Sequence, residues 1–419
     1  MQIILISIGT RGDIEPFVAM GELLKKKGHN VTCAFPEQFR TFTERTGLSF
    51  FSLGTSFTEL LNGDKAKTVL GGGSSFFGKI KTYIELAKDS KKVGRELFAK
   101  QYELIENQNP DRILYSGKVL YPIFWGIENK GKTFLVCPVP YMHYVKGHPH
   151  VAFNRNLGDF LNRFTFSLVN FGLIVTTKAA LKKLNLSKNY SYQQLKNEIS
   201  TSKVIYSLSP SLFPKPIYWK DNLKVLGYRE RTNTARWIPE KELVDFIKKH
   251  NKILFVTFGS MTNSKPKEKT KMIRSILKKH NIAAIINTAD GGLLELENSD
   301  VNLLYYTSSV PYSWIFPKVY AVVHHGGTGT THAALKHGCA MMIIPHIMDQ
   351  FVWNKVVYNK GFGPKGIKID KMNAKNLEPK ILDLFNNASY KQRAEQLSLE
   401  IAKEDFKDEL YHFIMESPQ

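Results

Sequence analysis

The run HHGGTGTT at residues 324–331 puts imidazoles, glycines and hydroxyls in the order that a phosphate seat requires. Gly326, Gly327 and Gly329 carry no side chain, so an anion can approach the backbone closely. Where a helix starts at such a turn, its first N–H groups lack partners inside the helix and its macrodipole is positive. Thr328, Thr330 and Thr331 add hydroxyl donors, and His325 can offer a ring N–H to a phosphate oxygen. Downstream, Asp349 and Gln350 supply an acid and an amide able to hold sugar hydroxyls. A second centre lies near the start of the chain, where Asp13 follows the turn Gly9-Thr10-Arg11-Gly12. Ahead of a first turn containing Pro16 it reads as a helix N-cap; at a strand end it reads as a general base, and both roles can hold together.

These residues need strands and helices to position them. Residues 321–323 read as the end of a buried strand, 330–337 as a helix closed by Gly338, and 341–344 as the next strand. Near the N-terminus, residues 3–6 form a continuous apolar strand, 15–27 an amphipathic helix stopped by Gly28, and 31–35 a second strand. That is the opening of a doubly wound unit. Further strands are expected over 111–115, 134–136, 204–207 and 223–227, then over 253–258, 283–286 and 303–306. A helix is expected over 351–358, and closing helices over 374–386 and 391–413. The fold class is therefore α/β, with two Rossmann-like doubly wound domains, and ligands in such sheets sit outside the carboxyl ends of the strands. The first domain is expected over 1–228, a linker over 229–240, the second domain over 241–390 and a C-terminal helix within 391–419.

Three tracts in the first half carry other signals. Residues 71–75, GGGSS, read as a mobile loop. Residues 79–107 read as a basic amphipathic helix in pieces, with Tyr83, Leu86 and Leu97 as its apolar positions, either packed on the protein or resting on a membrane surface. Residues 138–172 are rich in aromatics and histidine, which serves core and loop packing and also suits a pocket for a flat apolar molecule.

Composition sets the outer limits. At 419 residues and 43% hydrophobic content the chain is long and apolar enough for two cores, which excludes a disordered protein. Lysine and arginine number 58 against 37 acids, a net charge of +21, so the surface attracts anions. Cys33, Cys137 and Cys339 lie far apart without a C-x-x-C, which argues against a disulfide scaffold or zinc site and fits a reducing cytoplasm. No signal peptide is read at the start, and no uninterrupted run of about 18 apolar residues suggests a spanning helix. Attachment to a membrane surface stays open.

The whole string resembles the nucleotide-sugar motif of family 1 glycosyltransferases of GT-B fold, in the branch of sterol, lipid and antibiotic-aglycone glycosyltransferases. The resemblance rests on Val310-Pro311, Trp314-Ile315-Phe316-Pro317, residues 324–331, Asp349-Gln350 and Gly361-Phe362-Gly363-Pro364, together with residues 9–17 in the first half. It implies an inverting, metal-independent transfer of a sugar, glucose above others, from a UDP- or dTDP-sugar to a hydroxyl of a small hydrophobic acceptor such as a sterol, polyketide, flavonoid, carotenoid or lipid. Asp13 is then the general base. Ser260, Val310, His325, Gly327, Thr328, Gly329, Thr330, Asp349 and Gln350 bind the donor, with the nucleobase held by the backbone of Val310. Tyr141, His143 and Phe164 form acceptor walls, and the closing helix crosses back to the first domain.

No resident cofactor is implied, and the absence of a D-x-D triplet agrees with metal independence. Ala333 stands where plant members hold the ribose with a glutamate, so UDP and dTDP are not separated. The rivals are a nucleotide-sugar epimerase of the same fold and a non-catalytic nucleotide-sugar-binding protein. The chain carries no recognisable nucleic-acid-binding motif. The expected location is the cytoplasm, with contact at the inner membrane face left open.

Overall fold

The computed structural model describes residues 1–62, 76–153, 155–182, 189–231, 237–263, 265–297 and 300–416. The loop expected at 71–75 lies outside them, as do residues 232–236 of the expected linker. The chain forms two compact units. The first comprises Met1–Ala66, Ile80–Asn233 and Asp405–Gln419, and the second comprises Lys67–Lys79 and Thr234–Glu404.

The first unit is built on a parallel sheet of β1 (Gln2–Ile6), β2 (Asn30–Phe35), β3 (Ser49–Ser52), β4 (Arg112–Ser116), β5 (Thr133–Cys137), β6 (Lys203–Tyr206) and β7 (Leu223–Val225). Their order is β3-β2-β1-β4-β5-β6-β7. Residues 3–6 are apolar without a break because helices cover both faces of β1. Ile3 and Leu5 point to one side, where they meet Phe17 and Met20, and Ile4 and Ile6 to the other, where they meet Phe98 and Phe124. Leaving β1, the chain winds outward through β2 and β3, then returns to place β4 on the other side. The β1–β4 edge is the switch point.

The second unit repeats the plan with β8 (Leu254–Thr257), β9 (Ala284–Asn287), β10 (Leu304–Thr307), β11 (Ala321–His324) and β12 (Ala340–Ile343), ordered β10-β9-β8-β11-β12 and all parallel. Its switch point lies between β8 and β11.

Several expectations are corrected. The first helix spans Arg11–Lys26, so it starts ahead of Asp13. Residues 79–107 belong to one unbroken helix, Phe76–Gln108. Instead of one closing helix over 391–413 there are two. Ala388–Ile401 packs in the second unit against the helix Thr328–Lys336 and β12, and Lys407–Met415 belongs to the first unit, so the return begins near Asp405 and not at 391. In the first unit Leu410, Phe413 and Ile414 join the core of Ile3 and Leu5, the Phe413 ring lies 5.9 Å from that of Phe134, and Arg112 Nε donates to the Ile414 carbonyl at 3.0 Å.

The aromatic tract also differs from expectation. Much of it forms the helix Asp159–Lys182, which by length and composition alone is apolar enough to cross a membrane. A search for uninterrupted apolar runs passes over it because Asn162, Arg163, Thr165 and Asn170 break the run.

Candidate functional site

Asp13 sits at the carboxyl edge of β1, beside the first switch point. It is the third residue of its helix and not the N-cap, a place taken by Thr10. The carboxylate still caps: Oδ2 accepts from the Thr10 backbone N–H at 2.9 Å and from the Thr10 hydroxyl at 3.3 Å. Gly9 makes this fold-back possible, since a Cβ there would lie 2.1 Å from Asp13 Oδ2, and its φ of +151° is one that side-chain-bearing residues rarely adopt. The other oxygen, Oδ1, accepts from Lys118 Nζ at 2.9 Å. Lys118 follows β4, the strand paired with β1, and was missed in the sequence because only the sheet order makes it a neighbour of Asp13. The Asp13 side chain remains 24% exposed, so the paired carboxylate is held yet reachable.

The second centre lies beside the other switch point. Gly327 is the N-cap of Thr328–Lys336, and no side chain caps this helix start. Gly326 has φ +96°, and a Cβ there would come within 2.6 Å of Ile343 Cγ2. The buried His325 ring lies between two glycines: a Cβ on Gly259 would meet its Cε1 at 2.9 Å, and a Cβ on Gly327 would meet its Nε2 at 2.5 Å. Its Nδ1 is closed to solvent and has no hydrogen-bond partner among the described residues. Burial, helped by neighbouring His324 and His346, holds the His325 pKa well below the ordinary 6.5, so the ring is neutral. The helix start at Gly327, with the neutral His325 ring against it, can serve an incoming phosphate oxygen through its free backbone N–H groups.

The neighbouring histidines divide into structural and unassigned. His324 Nδ1 accepts the Gly326 N–H at 3.1 Å and shapes the turn, while burial lowers its pKa to about 3. His346, which carries no motif signal, donates from Nδ1 to the Ile344 carbonyl at 2.9 Å and leaves Nε2 buried without a partner among the described residues. Its signal was its place just beyond β12.

The structure sorts the remaining expected donor residues. Ser260 is exposed just past β8, next to Gly259 and so beside His325. Thr328 accepts the Trp353 indole N–H at 2.9 Å and keeps its own proton to donate. Thr330 and Gly329 lie in the first turn with it. The Thr331 hydroxyl donates to the Gly327 carbonyl at 3.0 Å, which removes it from the expected donors. Val310 follows the edge strand β10, its side chain buried. Asp349 and Gln350 open the helix Asp349–Asn359, longer than the 351–358 expected, and are preceded by Met348 in the left-handed region at φ +27°. Buried Gln350 uses its side-chain oxygen inside the protein, accepting from the His346 and Ile347 N–H groups at 2.7 and 3.1 Å, so only its amide nitrogen is left to meet a sugar.

Of the expected acceptor residues, two come together. Tyr141, with φ +61°, stacks on His148 at 4.2 Å and meets Phe213 at 5.5 Å. His143 receives a hydrogen bond from the Tyr206 phenol at 2.8 Å, and that phenol accepts the His143 backbone N–H. Burial takes the His143 pKa to about 4. Phe213, Tyr206 and Trp219 tie both residues into one aromatic cluster past β5 and β6. Phe164 stands elsewhere, exposed on Asp159–Lys182.

Known proteins share both halves. Residues 3–114 match the glycosyltransferase family 28 N-terminal domain, and residues 284–416 match the C-terminal domain of erythromycin biosynthesis protein CIII-like proteins. Two sterol 3-beta-glucosyltransferases of Arabidopsis thaliana are each 28% identical, over 91% and 97% of this chain and 62% and 64% of their own lengths. One from Saccharomyces cerevisiae is 26% identical over 96% of this chain and 34% of its own. The chain thus spans under two thirds of these relatives. Among solved structures, the glycotransferase of kitacinnamycin aligns with a TM-score of 0.70 at 15% identity, covering 99% of each chain. The Streptomyces glycosyltransferase SsfS6, complexed with thymidine diphosphate, aligns with a TM-score of 0.60 at 16% identity, covering 100% of each. With two glycosyltransferase domains in order along it, and two doubly wound sheets that fit the fold of those enzymes, the chain belongs to the family 1 glycosyltransferases of GT-B fold.

Proposed function

We propose that the protein is an inverting hexosyltransferase that moves a sugar, glucose in the first instance, from a UDP- or dTDP-sugar to a hydroxyl of a small hydrophobic acceptor. The observation that carries this reading is the seat around His325, where a buried neutral imidazole adjoins an uncapped helix start and two glycines at which a Cβ would strike the ring. That is a site for a group that gains negative charge. The departing nucleoside diphosphate is such a group, and Ser260, Thr328 and Thr330 stand around the same edge.

Asp13 supplies the other half of the chemistry. Its carboxylate takes the acceptor hydroxyl proton as the acceptor oxygen bonds to the anomeric carbon. The bond from that carbon to the diphosphate oxygen breaks, and its electron pair leaves with the nucleotide. Oδ2 is taken up by the two Thr10 contacts, while Oδ1 keeps a lone pair beyond its contact with Lys118. The acceptor class follows the names of the relatives, which act on sterols, and the aromatic cluster of Tyr141 and His143.

The test is nucleotide release from UDP-glucose and dTDP-glucose with sterol and aromatic acceptors, in EDTA, for wild type and Asp13→Asn. Acceptor-dependent release that survives EDTA and falls by about a thousandfold or more in the variant is expected. Sugar turnover without acceptor would point to an epimerase, and donor binding without turnover on any acceptor to a binding protein.

A further inference from the structure

The helix Asp159–Lys182 is folded inside out for a protein bathed only in water. Its inner face hides Asn162, Thr165 and Thr177, while its outer face shows large apolar side chains. Phe160 is 85% exposed, and Phe164, Leu168, Phe171 and Val175 are between 47% and 57% exposed. At 100° per residue these five fall within an arc of about 80°, one continuous stripe. Lys178 and Lys182 continue the same line by steps of three and four residues, so the stripe ends in two exposed cations. Scattered surface apolar residues need no explanation, but a contiguous row of five marks a contact.

Charge says what the contact is with. Residues 141–182 contain five cations, Lys146, Arg155, Arg163, Lys178 and Lys182, against a single acid, Asp159. Arg163 lies 5.5 Å from the Tyr144 ring, and Tyr218 leans on the same ring at 6.0 Å, beside the fully exposed Ile217. Apolar side chains with a cationic surround match an acyl layer beneath anionic headgroups. We propose that the outer face of Asp159–Lys182 docks on an anionic lipid surface, lying in the interface and not crossing it. A crossing would strip Phe166, Ile174 and Leu181 from the protein side of the helix, where they are buried. The use of the docking, collecting an acceptor dissolved in lipid, rests on the hexosyltransferase reading above; the docking itself does not.

The experiment is co-sedimentation with vesicles of phosphatidylcholine alone and of equal parts phosphatidylcholine and phosphatidylglycerol, at low and high salt. Wild type should pellet with the anionic vesicles at least about tenfold better than with the neutral ones, and less at high salt. Phe160→Ser/Leu168→Ser/Val175→Ser should lose binding about tenfold or more with an unchanged melting temperature, because only exposed side chains are altered. Lys178→Glu/Lys182→Glu should abolish the preference for anionic lipid. Wild type remaining in the supernatant, equal binding to both vesicles, or full binding by the serine variant would each overturn the proposal. So would a wild-type dimer that the serine variant makes monomeric, since a second copy would then cover the stripe. Nucleotide release with a detergent-dispersed acceptor separates the two proposals: vesicle binding without release sinks the enzymatic reading alone, and release without vesicle binding sinks the docking alone.

Discussion

Lys118 and the Thr10 N–H grip opposite oxygens of Asp13, so the carboxylate is oriented from the segments that follow β1 and β4. A base is useful only when its free lone pair points at the proton it must take. Substituting Lys118 by methionine keeps the length of the side chain and removes the charge. We expect kcat to fall by about ten- to a hundredfold with the donor KM unchanged, and Lys118→Arg to restore most of it; steady-state kinetics over both substrates decides. If the donor KM rises instead, the lysine belongs to donor binding. The place of Asp13 was legible in the sequence, because a glycine turn after an apolar strand sets the next acid at the strand's carboxyl edge. Lys118 was not, because 105 residues separate it from Asp13 and only the pairing of β1 with β4 brings them together.

At the level of elements, two adjacent glycines do different jobs and should fail differently. Gly326 is bound by its backbone: φ is +96°, and a Cβ would press on Ile343 and Gln350. Gly326→Ala should cost roughly 2–4 kcal/mol, seen as a lower midpoint in denaturant unfolding. Gly327 has an ordinary φ of −64°, and the nearest atoms a Cβ there would meet are those of the His325 ring. Gly327→Ala should leave stability within about 1 kcal/mol and weaken donor binding at least tenfold by calorimetry, because the imidazole must move. Equal loss of stability in both variants would remove His325 from the donor seat. The motif HHGGTGTT showed that a loop and helix were there but not which glycine served which purpose. Helix Asp159–Lys182 was hidden for the opposite reason. Its outer face is apolar and its inner face partly polar, so the pattern that normally announces an amphipathic helix reads backwards.

Across the whole molecule, burial keeps a set of histidines neutral: His143, His150, His332 and His346 are lowered to about 4, His324 to about 3, and His325 well below 6.5. Below pH 6.5 the unfolded chain takes up protons that the folded chain refuses, so stability is lost as pH falls from about 6.5 toward 4. Glu198, whose carboxyl is raised by burial, works in the other direction, but it is one group against six. Each histidine costs about 1 kcal/mol or more of stability at pH 5, and the melting temperature should drop by about 5 °C or more between pH 7 and pH 5. A flat profile over that range would mean the rings are far more solvated than the fold implies.

The two doubly wound units were legible at this scale from apolar runs such as residues 3–6 and the glycine turns that follow them. The point where the chain returns was not, because residues 391–401 and 407–413 carry similar helical periodicity and only their partners tell them apart.

That return has a consequence for biosynthesis. Leu410, Phe413 and Ile414 belong to the core that β1 begins, so on the ribosome the first unit waits with an open apolar face while the whole second unit is made. The nascent chain must shelter that face for the time it takes to add the 171 residues of Thr234–Glu404, about 9–34 s at ordinary elongation rates. Chaperone demand during synthesis should therefore track the first unit, although the second is the one emerging.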